Sequence, residues 1–135
     1  TRTEVNGLTH LFPTAQDICG LEEPVSARLG PLGMIAARSN TISALAGKLS
    51  DGSIRLAAGA DPERTAAQLM EIPGIGAWTA HYMVMRALGW TDAFLETDYG
   101  IKKALAPRKG KEILALAESW RPWRSYAMMN LWNSL

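Results

Sequence analysis

The stretch Leu69-Met70-Glu71-Ile72-Pro73-Gly74-Ile75-Gly76-Ala77-Trp78 constrains the fold more than any other. Before it, Asp61-Pro62-Glu63 has the form of a helix start, an N-cap carboxylate followed by proline at the first helical position, and predicts a helix to about Met70. After it, Ala77 to Leu88 reads as a second helix, ended at Gly89. Only a tight connection separates the two, so residues 62–88 or thereabouts form a helical hairpin. Gly74 and Gly76 are expected to adopt backbone angles that a Cβ would forbid, and to let the main chain approach another surface closely. Ile75, between them, is placed to plug the core and hold the hairpin shut. The second helix then turns its unpaired N–H groups and positive dipole end into the same space, which suits a phosphate. Thr79 adds a hydroxyl in that first turn. The plainer alternative is a helix–helix turn that uses proline and glycine as punctuation.

The rest of the chain also reads as helix. Thr14-Ala15-Gln16-Asp17 after Pro13 opens a short one. Ile35, Ile42, Leu45, Ala46 and Leu49 give a helical stripe between Met34 and Leu49, stopped at Asp51-Gly52. Thr97 or Asp98 caps a helix to about Leu105, Lys111 to Trp120 forms another, and Ser125 to Asn133 the last. No sustained alternation or Asn-Gly hairpin signals a strand. The prediction is an all-α bundle of short helices, residues 1–135 being one helical domain or most of one. A chain of this length buries roughly two thirds of its unfolded surface. It does not begin with Met, and residues 1–13 lack a period, which points to a piece of a longer polypeptide.

Charge narrows the partners. Residues 1–97 carry 7 Lys+Arg against 10 Asp+Glu, whereas residues 98–135 carry 7 against 3. A polyanion would favour the second part, through Lys102, Lys103, Arg108, Lys109 and Lys111, although a solvated helix face gives the same pattern. The overall net charge of +1 is far from that of a protein that holds nucleic acid by charge alone. The single cysteine, Cys19, excludes an internal disulfide framework and a cysteine-held cluster, and suits a reducing compartment. No apolar run approaches membrane-spanning length, and no signal peptide is visible.

The second informative segment is Phe94-Leu95-Glu96-Thr97-Asp98-Tyr99-Gly100. Asp98 stands where a helix starts, so by itself it reads as an N-cap; the sharper reading is a carboxylate held at the mouth of a groove. Pro73-Gly74-Ile75-Gly76, with Asp98-Tyr99 beginning 20 residues after Trp78, resembles the helix-hairpin-helix DNA glycosylase superfamily. Gly76-Ala77-Trp78-Thr79-Ala80-His81-Tyr82, Phe94-Leu95 and Trp120-Arg121-Pro122-Trp123-Arg124-Ser125-Tyr126-Ala127 resemble its 3-methyladenine DNA glycosylase II branch. The likeness is weak before Leu32 and strong from Leu69 to Trp132.

The resemblance implies base-excision repair: hydrolysis of the bond between an alkylated purine and its deoxyribose in damaged double-stranded DNA, with the nucleotide flipped out. Asp98 is then the catalytic carboxylate, stabilising the cationic sugar. Trp78, Tyr82 and Trp132 become walls for the base, with Tyr99 a groove-wall or packing residue. Gly74, Gly76 and Thr79 become the phosphate contact. Glycosylases of this superfamily that also nick the strand carry a lysine where this chain has Trp78, so a monofunctional enzyme using water is implied. No cofactor is required and no iron–sulfur cluster is expected; a structural Na+ or K+ on the main-chain carbonyls of Met70, Ile72 and Ile75 belongs to the family pattern. Also implied are a cytoplasmic, nucleoid-associated setting, no membrane partner, and a monomeric full-length enzyme. An upstream part of the same polypeptide is expected to carry the wedge that fills the gap left by the flipped base, and in some chains a methyl-transfer and regulatory module. Core packing is the competing account of each aromatic, and it is preferred for Trp120 and Trp123, as a corner that positions the last helix. His10 and His81 lack metal-ligand spacing and read as non-catalytic. Two other classes compete with the enzyme: a non-catalytic helix-hairpin-helix DNA-binding module, and a helical interaction domain that binds no nucleic acid.

Overall fold

A computed structural model describes residues 3–135, so that Thr1 and Arg2 of the period-free start lie outside the described residues. The fold is all-α. Its helices are α1 (Ala15–Cys19), α2 (Val25–Leu29), a 3-10 turn (Gly30–Leu32), α3 (Ala36–Ser50), α4 (Pro62–Met70), α5 (Ala77–Leu88), α6 (Tyr99–Ala104), α7 (Gly110–Glu118) and α8 (Arg124–Asn133). No β-strand occurs among the described residues. Two compact units result: the chain to Arg55 together with Ile72–Gly74, and Leu56–Glu71 together with Ile75–Leu135.

In the first unit, Thr14 starts α1 through a reciprocal cap. Its hydroxyl accepts from the Asp17 amide at 3.1 Å, and the Asp17 carboxylate accepts from the Thr14 amide at 2.8 Å. The helix α2 was not expected from sequence; its N-cap is Pro24, which has no side chain able to accept a hydrogen bond. The helix α3 ends at Asp51, and Gly52 follows at φ +79. From α3, the Thr41 hydroxyl lies 2.8 Å from the Pro73 carbonyl. This is what Gly74 needs to be a glycine for: its φ is +93, and a Cβ there would collide with Thr41 Oγ1.

The second unit holds the larger core: Met85, Ala93, Phe94, Leu95, Ile101, Leu105, Ile113, Ala117 and Met128, with Tyr82, Trp90, Trp120, Leu131 and Trp132 half-buried against it. Each large apolar side chain buried here contributes about 2 kcal/mol. Asp61 caps α4, its Oδ1 accepting from the Arg64 amide at 2.7 Å, and Pro62 fills the first helical position. Gly89, at φ +66, closes α5. Glu112 reaches back to the Lys109 amide at 2.9 Å, which starts α7 at Gly110, one residue before the expected Lys111.

Gly76 departs from expectation. It is the N-cap of α5 at φ −88 and ψ 172, ordinary extended backbone, and a Cβ there would meet nothing within 4 Å. Its conformation does not require glycine, which leaves only an unobstructed approach to the helix end as a physical reason for that residue type.

Candidate active site

Asp98 is both the cap and the carboxylate of the site. Its Oδ1 accepts from the Ile101 amide at 3.0 Å, which starts α6, and from the Trp132 indole Nε1 at 2.9 Å. Its Oδ2 accepts from the Trp78 indole at 3.1 Å. Three elements thus meet on one carboxylate: the first turn of α5, the start of α6 and the last turn of α8. Partial burial pushes the Asp98 pKa up. The indole of Trp132, the Ile101 amide, the indole of Trp78 and the Gly100 amide outweigh it and hold the group below the ordinary aspartate value. The carboxylate is therefore ionised at neutral pH, with uncharged donors as its hydrogen-bond partners.

Around it lie the aromatics. Trp78 and Tyr82, one turn apart on α5, stack with centroids 5.2 Å apart and planes at 12°. Tyr82 meets Trp132 at 6.4 Å and 57°. Trp78 is 40% exposed, so its indole binds Asp98 at one edge and offers surface to solvent. A cavity of about 270 Å³ is lined by Trp78, His81, Trp90, Phe94, Glu96 and Thr97, among others. His81 lies edge-on to Trp90 at 5.7 Å.

Not every singled-out residue converges. Tyr99 projects from the first turn of α6 and is 79% exposed, so it is not a packing residue. Trp120 packs edge-on against Phe94 at 6.2 Å, whereas Trp123 is 56% exposed and packs outside the core, against Tyr126 at 5.8 Å. The corner positions α8 instead through Arg124 and Ser125, which hold Asp92 and the Trp90 and Ala93 carbonyls. Gly74, Gly76 and Thr79 are exposed at the hairpin and the start of α5. That start carries no side-chain cap and no acidic residue in its first turn, leaving its amides open to an anion. Lys102, Lys103, Arg108, Lys109 and Lys111 are exposed, and none forms an ion pair among the described residues.

Gly100 is a site residue that sequence reasoning missed. A Cβ there would stand 3.0 Å from Trp132 Cδ1 and 3.1 Å from Asp98 Oδ1, so any larger residue would make the indole or the carboxylate give by a few tenths of an ångström. A glycine two residues into a helix, where it lowers helix propensity, was the available signal.

No family model matches the chain. Among curated proteins, it is 39% identical over 132 residues to a probable bifunctional transcriptional activator/DNA repair enzyme AlkA of Mycobacterium tuberculosis, a match covering 95% of this chain and 25% of that protein. It is 35% identical over 121 residues to DNA-3-methyladenine glycosylase 2 of Escherichia coli, covering 90% and 42%. A DNA-3-methyladenine glycosylase of Bacillus subtilis is 39% identical over 75 residues, covering 50% and 24%. The chain thus spans 25% and 42% of the length of the first two of these relatives. Over the stretch they share, this chain is similar to the AlkA and DNA-3-methyladenine glycosylase proteins, at 35–39% identity.

Proposed function

We propose that these residues form the catalytic part of a monofunctional DNA glycosylase that excises alkylated purines such as 3-methyladenine from damaged duplex DNA. The observation that carries this reading is the ionised Asp98 carboxylate, fixed by the indoles of Trp78 and Trp132 beside a wall of aromatic rings. As the bond between C1′ and the base nitrogen breaks, its electron pair leaves with the base and neutralises the alkylated purine, and positive charge builds on the sugar. Water then bonds to C1′ and loses a proton to solvent. A carboxylate about 4 Å from that cation contributes about 4 kcal/mol at an effective dielectric of about 20, roughly a thousandfold in rate.

Trp78 and Tyr82 already stack on each other, so the flipped base is expected to meet the exposed surface of Trp78 rather than enter between the rings. A cationic purine is drawn to an indole face, and stacking of about 1–3 kcal/mol offsets part of the cost of flipping. Duplex backbone is assigned to the start of α5 at Gly74, Gly76 and Thr79. A structural Na+ or K+ on the main-chain carbonyls of Met70, Ile72 and Ile75 is part of the same proposal, as the resemblance implies. Trp78, which has no amine, leaves water as the nucleophile. We further propose an upstream part of the same polypeptide, as the greater length of the relatives suggests, and a cytoplasmic setting; no helix among the described residues is long and apolar enough to cross a membrane.

Asp98→Asn tests the reading. Asparagine caps a helix about as well as aspartate, so the fold survives while the charge is removed. The expected result is a loss of base release from alkylated duplex by about a thousandfold with duplex affinity largely kept, and no protein–DNA adduct trapped by borohydride in the parent protein. Near-normal turnover in the variant would reduce Asp98 to a helix cap.

A further inference from the structure

The loop that leads from α5 towards Asp98 is bound to the first turns of α8 at several points. Arg124 Nε donates to Asp92 Oδ1 at 2.7 Å, and its Nη2 to Asp92 Oδ2 at 2.9 Å and to the Asp92 carbonyl at 2.7 Å. The next residue continues the seam. The Ser125 amide donates to the Thr91 carbonyl at 2.8 Å, and its buried hydroxyl lies 2.7 Å from the Trp90 carbonyl and 3.2 Å from that of Ala93. One turn further, Met128 Sδ accepts from the Leu95 amide at 3.1 Å. Arg121 also pairs with Asp92, and Glu118 accepts from both arginines.

The seam is not a surface ion pair. The side chains of Arg124 and Asp92 are only 12% and 14% exposed, and the guanidinium engages the carboxylate with both prongs of its fork. Its two sides lead to the same place. Asp98 lies three residues beyond Leu95 on the loop, and Trp132 lies about two turns beyond Arg124 on α8. The 2.9 Å hydrogen bond from Trp132 Nε1 to Asp98 Oδ1 joins the loop side to the helix side, and Gly100 leaves no slack around it. A slip of α8 along the loop would break that bond.

We propose that Arg124 and Asp92 are positioning residues for the Asp98 carboxylate: their fork registers α8 against the Trp90–Leu95 loop so that the Trp132 indole reaches Asp98. The catalytic consequence rests on the glycosylase reading; the positional one does not. A bond holding only the fold together would lower stability when cut and leave Asp98 as it was. A registering bond also changes what Asp98 touches.

The test uses Arg124→Gln, Arg124→Lys and Asp92→Asn in the full-length native polypeptide that contains these residues. Below the melting temperature of each variant, NMR follows the titration of the Asp98 carboxyl and the indole N–H of Trp132. Single-turnover release of 3-methyladenine and affinity for undamaged duplex are measured alongside. In Arg124→Gln the Asp98 titration is expected to move to higher pH and the Trp132 N–H to lose its hydrogen-bonded shift. Base release should fall about ten- to a hundredfold, as displacement of about 1 Å can cost, with duplex affinity changed by less than about twofold. Lysine, which keeps the charge without the fork, should restore base release only in part. If Arg124→Gln does not fold, Asp92→Asn, which keeps the shape and removes the charge, is read in the same way. A destabilised variant whose Asp98 titration and Trp132 resonance match the parent overturns the proposal. Absence of base release in the parent protein would sink the glycosylase reading instead, and the NMR measurements would still decide the positional claim.

Discussion

A carboxylate that accepts hydrogen bonds from indoles and backbone amides binds a proton less readily. Asp98 titrates below the ordinary aspartate range because the Trp132, Ile101, Trp78 and Gly100 donors outweigh its partial burial. A group with a depressed folded-state pKa adds stability that is fully present above its unfolded pKa. That stability is lost as pH falls through the folded value. Well above about 4, the unperturbed aspartate value, Asp98 therefore contributes its full stability, and it is anionic at neutral pH. This suits a group that stabilises a cation better than one poised near neutrality to take a proton from water. Base release should accordingly be insensitive to pH between about 5 and 8 as far as this group decides it. Trp132→Phe keeps the ring's apolar surface and removes the donor. Its expected effects are an Asp98 titration moved upward, an acid limb of base release moved upward with it, and a rate lower by about tenfold at neutral pH, the worth of one charge-assisted bond. Single-turnover rates across pH check this; an acid limb unchanged from the parent would mean that Trp132 serves only as a wall.

At the scale of elements, the two hairpin glycines separate conformation from contact. Gly74 is held at φ +93 against Thr41, and alanine there must both adopt a disfavoured backbone and displace the Thr41 hydroxyl. Gly74→Ala should lower stability by about 1–3 kcal/mol, read as a fall in the melting temperature. Gly76→Ala places its methyl in open space on ordinary backbone and should melt close to the parent. On the proposed reading its cost belongs to binding, because the methyl would stand where the duplex phosphate is proposed to approach the α5 amides. Affinity for damaged and undamaged duplex should fall by similar factors, since a phosphate contact positions without reading the base. A loss confined to lesion-containing DNA would move the hairpin into the base pocket. The same contrast marks what the sequence makes legible. Asp61-Pro62, Thr14-Asp17 and Gly89 announce their helix ends because capping is local chemistry. The helix α2 is five residues long with no side-chain cap, too short to print a period. Pairs 32 and 34 residues apart, such as Arg124 with Asp92 and Trp132 with Asp98, leave no local trace, so the Arg124–Asp92 fork could not be read from sequence, and Gly100 showed only as a glycine early in a helix. Exposure is likewise non-local: Tyr99 and Trp123 look like any other aromatics until the chain is folded.

At the scale of the whole molecule, the distribution of apolar surface carries the remaining consequence. In the first unit Phe12 is 95% exposed, Leu32 80% and Ile35 62%, with Leu8 and Leu11 above half. The same unit contains an apolar cavity of about 350 Å³ lined by Pro13, Ile18, Leu21, Val25, Leu29 and Ile42, among others. Large apolar side chains left in water favour association, at roughly 25 cal/mol for each Å² they can bury. The proposed upstream segment is the natural cover, and in the proposed reaction it also brings the wedge that fills the gap left by a flipped base. Without that wedge, unstacking goes uncompensated by a few kcal/mol, which is a hundredfold or so in rate. The 135-residue chain by itself should therefore self-associate as its concentration rises and release alkylated bases slowly. The same residues within the longer native polypeptide should remain monomeric and work faster by about two orders of magnitude. Sedimentation velocity over a concentration series, with single-turnover base release on the same samples, checks both halves. A short chain that stays monomeric and matches the longer polypeptide in rate would show that groove and wedge are complete within residues 1–135, and that these exposed side chains serve some other contact.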